Sequence, residues 1–181
     1  MEKLFRLTTF VAGLIAVVML VQHITVAKMD KLREAQMLSS PDIVSIKTRE
    51  RQLECLAMNI YREAGHENFE GKVAVAQVTM NRASHPSFPK DVCGVVYQKS
   101  VVIDRVIGQF SWYCDTAHKA RPVNPAAYNE SMAVAKKVLL EGFRLDVMKE
   151  ALYYHANYVN PRWNLEKIGS IGNHIFYKGK N

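Results

Sequence analysis

From Leu7 to Ala27 the chain carries no charged residue; Lys3 and Arg6 stand before this stretch and Lys28 closes it. As a helix it would span roughly 30 Å, the thickness of a bilayer's hydrocarbon core. Its apolar residues fall all round such a helix instead of forming a stripe, so a helix packed on one side against a globular core fits poorly. Two export readings remain. In one, Phe10 to Val21 is the core of a signal peptide cut after Thr25-Val26-Ala27. In the other the segment persists as a signal anchor, which its length favours. Thr8, Thr9, Gly13, Gln22, His23 and Thr25 would make that anchor a weak one, able to leave the bilayer. Lys3 and Arg6 oppose Lys28, Lys31 and Arg33, so the flanking charges barely fix an orientation. Both readings make the protein membrane-anchored through residues 7–27 or secreted.

Beyond residues 1–27 the chain divides into a tether, 28–47, and a globular domain, 48–181. The tether holds a polar helical stretch, Met29 to Leu38, broken by Ser39-Ser40-Pro41. The domain is of ordinary size and long enough to bury a core. With 49% hydrophobic and 23% charged residues, low complexity, collagen and general disorder are excluded. Three cysteines are too few for a disulfide-built fold. Of the net charge of +7, residues 1–44 contribute +1 and residues 45–181 contribute +6. A basic domain favours an anionic partner: nucleic acid, a membrane surface, or a polyanionic polymer such as bacterial cell wall. The chain has neither a basic helix nor an alternation of aromatic and basic residues, so nucleic acid is not expected.

The domain reads as α+β, helical first and β last. A helix is expected from Thr48 to Ala64, with Leu53, Leu56, Ala57, Ile60 and Ala64 as its buried stripe and Gly65 as its end. A second, Glu70 to Ala83, contains Val73-Ala74-Val75-Ala76, apolar on several faces and so central to the core. A short third covers Asp91 to Gln98, and 101–124 reads as a long irregular segment. Asn124 then caps a helix with Pro125 at its first position. Leu152 to Val159 and Ile171 to Lys178 are rich in aromatic and β-branched residues and read as strands, pairing across a loop that holds Pro161 and Gly169.

Glu63 stands out on chemistry. It continues the buried stripe, three residues after Ile60, and sits at the end of its helix where a cleft edge forms. A carboxyl partly buried among apolar neighbours keeps its proton, as a general acid must. The alternative is a carboxylate paired with Arg62 or Arg82, or simply exposed. Glu67 and Glu70 offer a second carboxylate, yet suit equally the first turn of the next helix. The six histidines form no H-x-x-x-H and the cysteines no C-x-x-C, so no metal or other cofactor is expected.

Read together, Cys55-Leu56-Ala57-Met58-Asn59-Ile60-Tyr61-Arg62-Glu63-Ala64, Glu67, Gly71, Val73 to Val78 and Asn81-Arg82 resemble the opening of the SleB-type cell wall hydrolase family. The likeness continues through Phe88-Pro89, Cys93 to Gln98, Gln109-Phe110-Ser111-Trp112, Tyr154-His155-Ala156, Pro161, Trp163 and Ile171 to Tyr177. It covers most of 53–178 and leaves the N-terminal segment outside. The resemblance implies a helix-dominated, lysozyme-like domain with a small C-terminal β-hairpin. It implies a peptidoglycan-degrading enzyme of the lytic transglycosylase or muramidase type, with Glu63 as single catalytic acid/base. A phage-type endolysin working as a monomer suits the N-terminal segment. An N-acetylmuramoyl-L-alanine amidase, which would need a metal, and a non-catalytic wall-binding protein are the alternatives.

Other residues are expected to touch substrate. Glu67, Gln109, Ser111, Tyr154 and His155 lie in or beside the matched motifs. Gln77, one turn before Asn81, could present its amide to a sugar or hydrogen-bond in the core. Trp112 and Trp163 could stack on a sugar face or fill the core, and His155 could face the cleft or be a satisfied core histidine. The chain departs from the family at Gly65-His66, where relatives commonly carry Arg-Gly, and at Gly108, where many carry Cys. Of Cys55, Cys93 and Cys114, one pair can close in an oxidising compartment and leave a third free, or all three can stay reduced and buried; the sequence leaves the pairing open.

Overall fold

The computed structural model describes residues 1–38, 41–102 and 105–179, which separate into two compact units, Met1–Thr48 and Arg49–Asn181. In the first unit, α1 (Glu2–Leu38) is one unbroken helix. No breaker separates Ala27 from Leu38, and Lys, Met, Leu, Arg, Glu, Ala and Gln all favour helix there, so the expected tether begins as helix. Phe10, Leu14, Val17, Leu20 and Ile24 are exposed, and Thr9–Leu38 is long and apolar enough to be a candidate membrane span. The break expected at Ser39 and Ser40 lies outside the described residues.

The next helix, α2 (Pro41–Ala64), begins seven residues earlier than expected. Pro41 supplies a preset φ at the first position and Asp42 an acid in the first turn, which outweigh Thr48 as a start signal. From Arg49 on, α2 belongs to the second unit. There α3 (Phe69–Ser84), capped by Asn68 through its Oδ1 on Gly71 N (2.9 Å), is buried from Gly71 to Thr79. It is the central helix, as its all-round apolar run required. Leu53, Leu56, Ala57 and Ile60 of α2 meet Val73 and Ala76 of α3, the short α4 (Val92–Val96), and Val134, Ala135 and Val138 of α7 (Pro125–Leu139). Asn124 caps α7, with Pro125 first, as expected. A disulfide joins Cys55 of α2 to Cys93 of α4 and leaves Cys114 free.

The segment 101–124 departs from expectation. Strands β1 (Lys99–Val102) and β2 (Arg105–Gly108) pair antiparallel, and α5 (Ser111–Cys114) and α6 (Thr116–Lys119) come next. Val101, Val106 and Ile107 carry the β preference; Ile103 and Asp104 lie outside the described residues.

The C-terminal sheet is three-stranded, in the order β3 (Ala151–Ala156), β5 (His174–Lys178), β4 (Lys167–Ile171), all neighbours antiparallel. The expected two-strand hairpin is thus corrected. Gly169 lies in β4 instead of the loop, and the tight turn is Gly172-Asn173, with Gly172 at φ 57°. Side-chain alternation along β3 and β5 puts Tyr154, Phe176 and His174 on one face and Tyr153, His155 and Tyr177 on the other. Phe176 fills a second apolar cluster with Ala74 and Val78 of α3, Met148 and Ala151.

Candidate active site

Glu63 stands in the last turn of α2, half-buried. Across from it, Tyr154 on β3 donates its hydroxyl to Glu63 Oε2 (3.0 Å). Burial pushes the Glu63 carboxyl above the usual carboxylate range. The Tyr154 hydrogen bond and the neighbouring Arg82 and His118 pull the other way without cancelling it. Burial likewise raises the Tyr154 phenol well above its ordinary value, so it stays a donor. Arg82 of α3 is anchored by Nε to Leu152 O (2.7 Å) and lies over the rings of Phe88, Phe110 and Tyr153.

Two clefts meet at this carboxyl. The larger, about 1050 Å³, is walled by aromatic groups, among them Tyr153, Tyr154, His155, Tyr158 and Trp163. The smaller, about 410 Å³, runs past Gly65, His66, Glu67, Arg121 and Asn173. Arg62, Glu63, Trp112, His118, Ala156, Tyr158 and His174 line both. The carboxyl therefore sits in the middle of a continuous groove, a shape suited to a polymer.

Of the residues expected to touch substrate, Gln109, Ser111, Trp112, Tyr154 and His155 line the larger cleft. Trp112 is mostly core: its ring is buried and Nε1 donates to Asn59 Oδ1 (3.0 Å). His155 is both a cleft residue and a satisfied one. Its Nδ1 meets Ala156 O (2.8 Å), its Nε2 meets the Tyr177 hydroxyl (2.9 Å), and its ring stacks on Tyr177. Glu67 lines the smaller cleft, but both its oxygens accept from Asn173 N (3.2 and 3.3 Å), and it packs against Gly172. It braces the β4–β5 turn. Gln77 must be corrected. It is buried, lines neither cleft, and exchanges both amide ends with Leu145, whose O accepts from Nε2 (3.2 Å) and whose N donates to Oε1 (2.8 Å). Asn81 is likewise engaged, on Met148 O and Ala151 O.

Two groove residues were not apparent from the sequence. His118 reaches the groove from α6, with Nδ1 2.6 Å from Asp115 Oδ2. Tyr158, 86% exposed, comes from the β3–β4 connection, as does Trp163, 41% exposed and already a candidate for stacking. For Tyr158, an aromatic side chain in a polar connecting loop was the available signal. Among the described residues no three His, Cys, Asp or Glu side chains gather where an ion could be held.

A sequence model described as Cell Wall Hydrolase matches residues 66–177. The chain is 31% identical over 129 residues to the spore cortex-lytic enzyme of Bacillus subtilis (strain 168), a match spanning 67% of this chain and 35% of that protein. It is 29% identical over 137 residues to the spore cortex-lytic enzyme of Bacillus cereus, spanning 71% and 45%. The chain thus spans less than half of either relative. Among solved structures, the catalytic domain of the Bacillus cereus SleB protein superposes with a TM-score of 0.52 at 26% identity, covering 71% of this chain and 91% of that one. The catalytic domain of the germination-specific lytic transglycosylase SleB from Bacillus anthracis gives 0.51 at 28% identity, covering 70% and 93%. With the family's sequence pattern running through most of the domain and its fold shared by both SleB catalytic domains, the chain belongs to the cell wall hydrolase family, a family of enzymes.

Proposed function

We propose that the domain cuts the glycan strand of peptidoglycan after N-acetylmuramic acid, as a lytic transglycosylase with Glu63 as its one acid/base. The observation that carries this reading is the place of Glu63, a carboxyl whose pKa is raised by burial, at the meeting point of two clefts. A glycan lying along both clefts has one bond over that group. The protonated carboxyl gives its proton to the glycosidic oxygen as the C1–O bond breaks. The carboxylate left behind takes the proton of the muramic 6-hydroxyl, whose oxygen bonds to C1. Tyr154 and Arg82 stabilise the carboxylate in the interval. Water is not consumed, so no second free carboxylate is required, in contrast to two-carboxylate hydrolases. Among the described residues, the other carboxylate lining the clefts is Glu67, engaged by Asn173. The name given to the Bacillus anthracis domain supports transglycosylation over hydrolysis.

A Glu at a helix end facing a small sheet supports a lysozyme-like core, and the aromatic wall supports sugar stacking by Trp163 and Tyr158. The Cys55–Cys93 disulfide and the apolar α1 support export, the disulfide because such bonds persist in oxidising compartments. A releasable anchor would make the chain a phage-type endolysin, acting as a monomer.

The test uses the detergent-solubilised full chain on purified peptidoglycan, with and without EDTA. The reading predicts clearing by the wild type in both conditions and none by Glu63→Gln. Clearing abolished by EDTA and restored by zinc, with release of free stem peptides, would replace it with an amidase.

A further inference from the structure

The two clefts that meet at Glu63 differ in chemistry. Both contain Arg62 and His118; the larger adds most of the aromatic wall, and the smaller adds His66 and Arg121. Of the smaller cleft's two carboxyls, Glu63 is raised in pKa by burial, and Glu67 is engaged on Asn173 N and lies beside His174 Nδ1 (3.7 Å). Two of the nitrogen groups are placed by specific bonds. Arg62 donates Nη1 to His118 O (3.1 Å) and Nη2 to Arg121 O (3.0 Å), tying the exit of α6 to the helix that bears Glu63. Asp115, which caps α6 by accepting from Ala117 N and His118 N, also holds His118 Nδ1. That leaves Nε2 as the ring nitrogen of His118 without a protein partner among the described residues. The Arg121 guanidinium makes no ion pair among the described residues either.

We infer that the smaller cleft binds the carboxylates of the stem peptide on the muramic residue beside the cut bond, with Arg121 and His118 as the contacts. The inference rests on the glycan-cleaving reading of Glu63. Peptide-substituted N-acetylated sugars carry no charge on their rings; their anionic groups are the peptide carboxylates. A guanidinium meets a carboxylate through two parallel N–H donors, and an imidazole N–H adds a third. The end of the groove that holds Arg121 therefore suits the peptide, and the end walled by Tyr153 and Trp163 suits the sugar faces. This enzyme should prefer strands that keep their charged peptides.

The test compares two soluble glycan preparations with the full chain. Both are amine-acetylated and freed of phosphate-bearing wall polymers; one keeps its peptide carboxylates and the other has them converted to amides with carbodiimide and ammonia. The wild type should show a kcat/KM about fivefold or more higher on the carboxylate form, a modest factor because the cleft is open to solvent. Arg121→Gln should bring that ratio toward one, chiefly through KM. The carbonyls that Arg62 grips are backbone atoms and survive this change. Binding of both preparations to the Glu63→Gln variant, measured by calorimetry, should show the same preference without turnover. A ratio near one for the wild type, or a ratio that persists in an Arg121→Gln, His118→Gln double variant, would overturn the inference and leave the glycosidase reading standing. Full activity of Glu63→Gln on both preparations would overturn the glycosidase reading itself.

Discussion

In the proposed reaction two requirements meet at Glu63: the carboxyl must hold a proton before the bond breaks and bear a charge afterwards. Burial serves the first and Tyr154 the second. Replacing Glu63 by Gln should lower the rate about 10²–10⁴-fold while the fold persists, read as lytic rate alongside an unchanged circular dichroism spectrum. The same variant has a stability signature. A carboxyl whose pKa is raised by folding contributes stability that is fully present below its unfolded value and lost as pH rises through its folded value. Glu63→Gln should therefore match the wild-type Tm below about pH 4 and exceed it above the folded pKa. Equal Tm values at pH 8 would contradict this. The proposed mechanism makes the acid form the active one, so kcat/KM should fall on the alkaline side. Tyr154→Phe removes a donor that favours the charged form, so it should move that limb to higher pH and slow the reaction about tenfold. The place of Glu63 at a cleft was legible because Leu53, Leu56, Ala57 and Ile60 run straight into it along one helix. Its partner was not, since 91 residues separate Tyr154 from it and only the folded sheet brings them together. Gln77 misled for a related reason: helical spacing places an amide on a face without saying whether that face meets a cleft or the backbone of Leu145.

Among the elements, the helices with caps and stripes were readable: Asn124-Pro125 marked α7, and the all-round apolar run marked α3. Strand β4 was not, because Gly169 and Ser170 interrupt its apolar residues, and its register slips between Lys167 and Gly169. It exists because β5 offers an edge to pair with, which is a tertiary cause. The turn joining them depends on Gly172, whose φ of 57° and contact with Glu67 leave no room for a side chain. Gly172→Ala should cost at least about 1–2 kcal/mol in denaturant unfolding, from the left-handed backbone alone. Little change would mean that the turn does not hold residue 172 in the left-handed region. The short α6 was hidden in a segment without periodicity; Arg62, 56 residues from His118, holds it in place. The Cys55–Cys93 bridge, spanning 38 residues between α2 and α4, could not be chosen from three cysteines. Cys93→Ala should lower stability by about 2–4 kcal/mol, and reductant should then have no further effect.

At the scale of the whole molecule, an apolar helix precedes a basic, disulfide-bonded domain whose proposed substrate lies outside the cytoplasm. The protein should fractionate with the membrane, and dissipating the membrane potential should shift the intact chain to the soluble fraction if its weak anchor is releasable. Recovery of the domain from the cytoplasm would defeat the export reading, and an N-terminus at Lys28 would show a cleaved signal peptide in place of an anchor. Neither result would touch the chemistry at the groove. That chemistry is tested most directly by mass spectrometry of the muropeptides released from purified peptidoglycan in ¹⁸O-labelled water. Intramolecular attack by the muramic 6-hydroxyl predicts anhydro-muropeptides free of the label, absent when Glu63→Gln is used. Labelled reducing ends would show that water attacks instead, and free stem peptides with intact glycan would show that Glu63 does not cut the glycan at all.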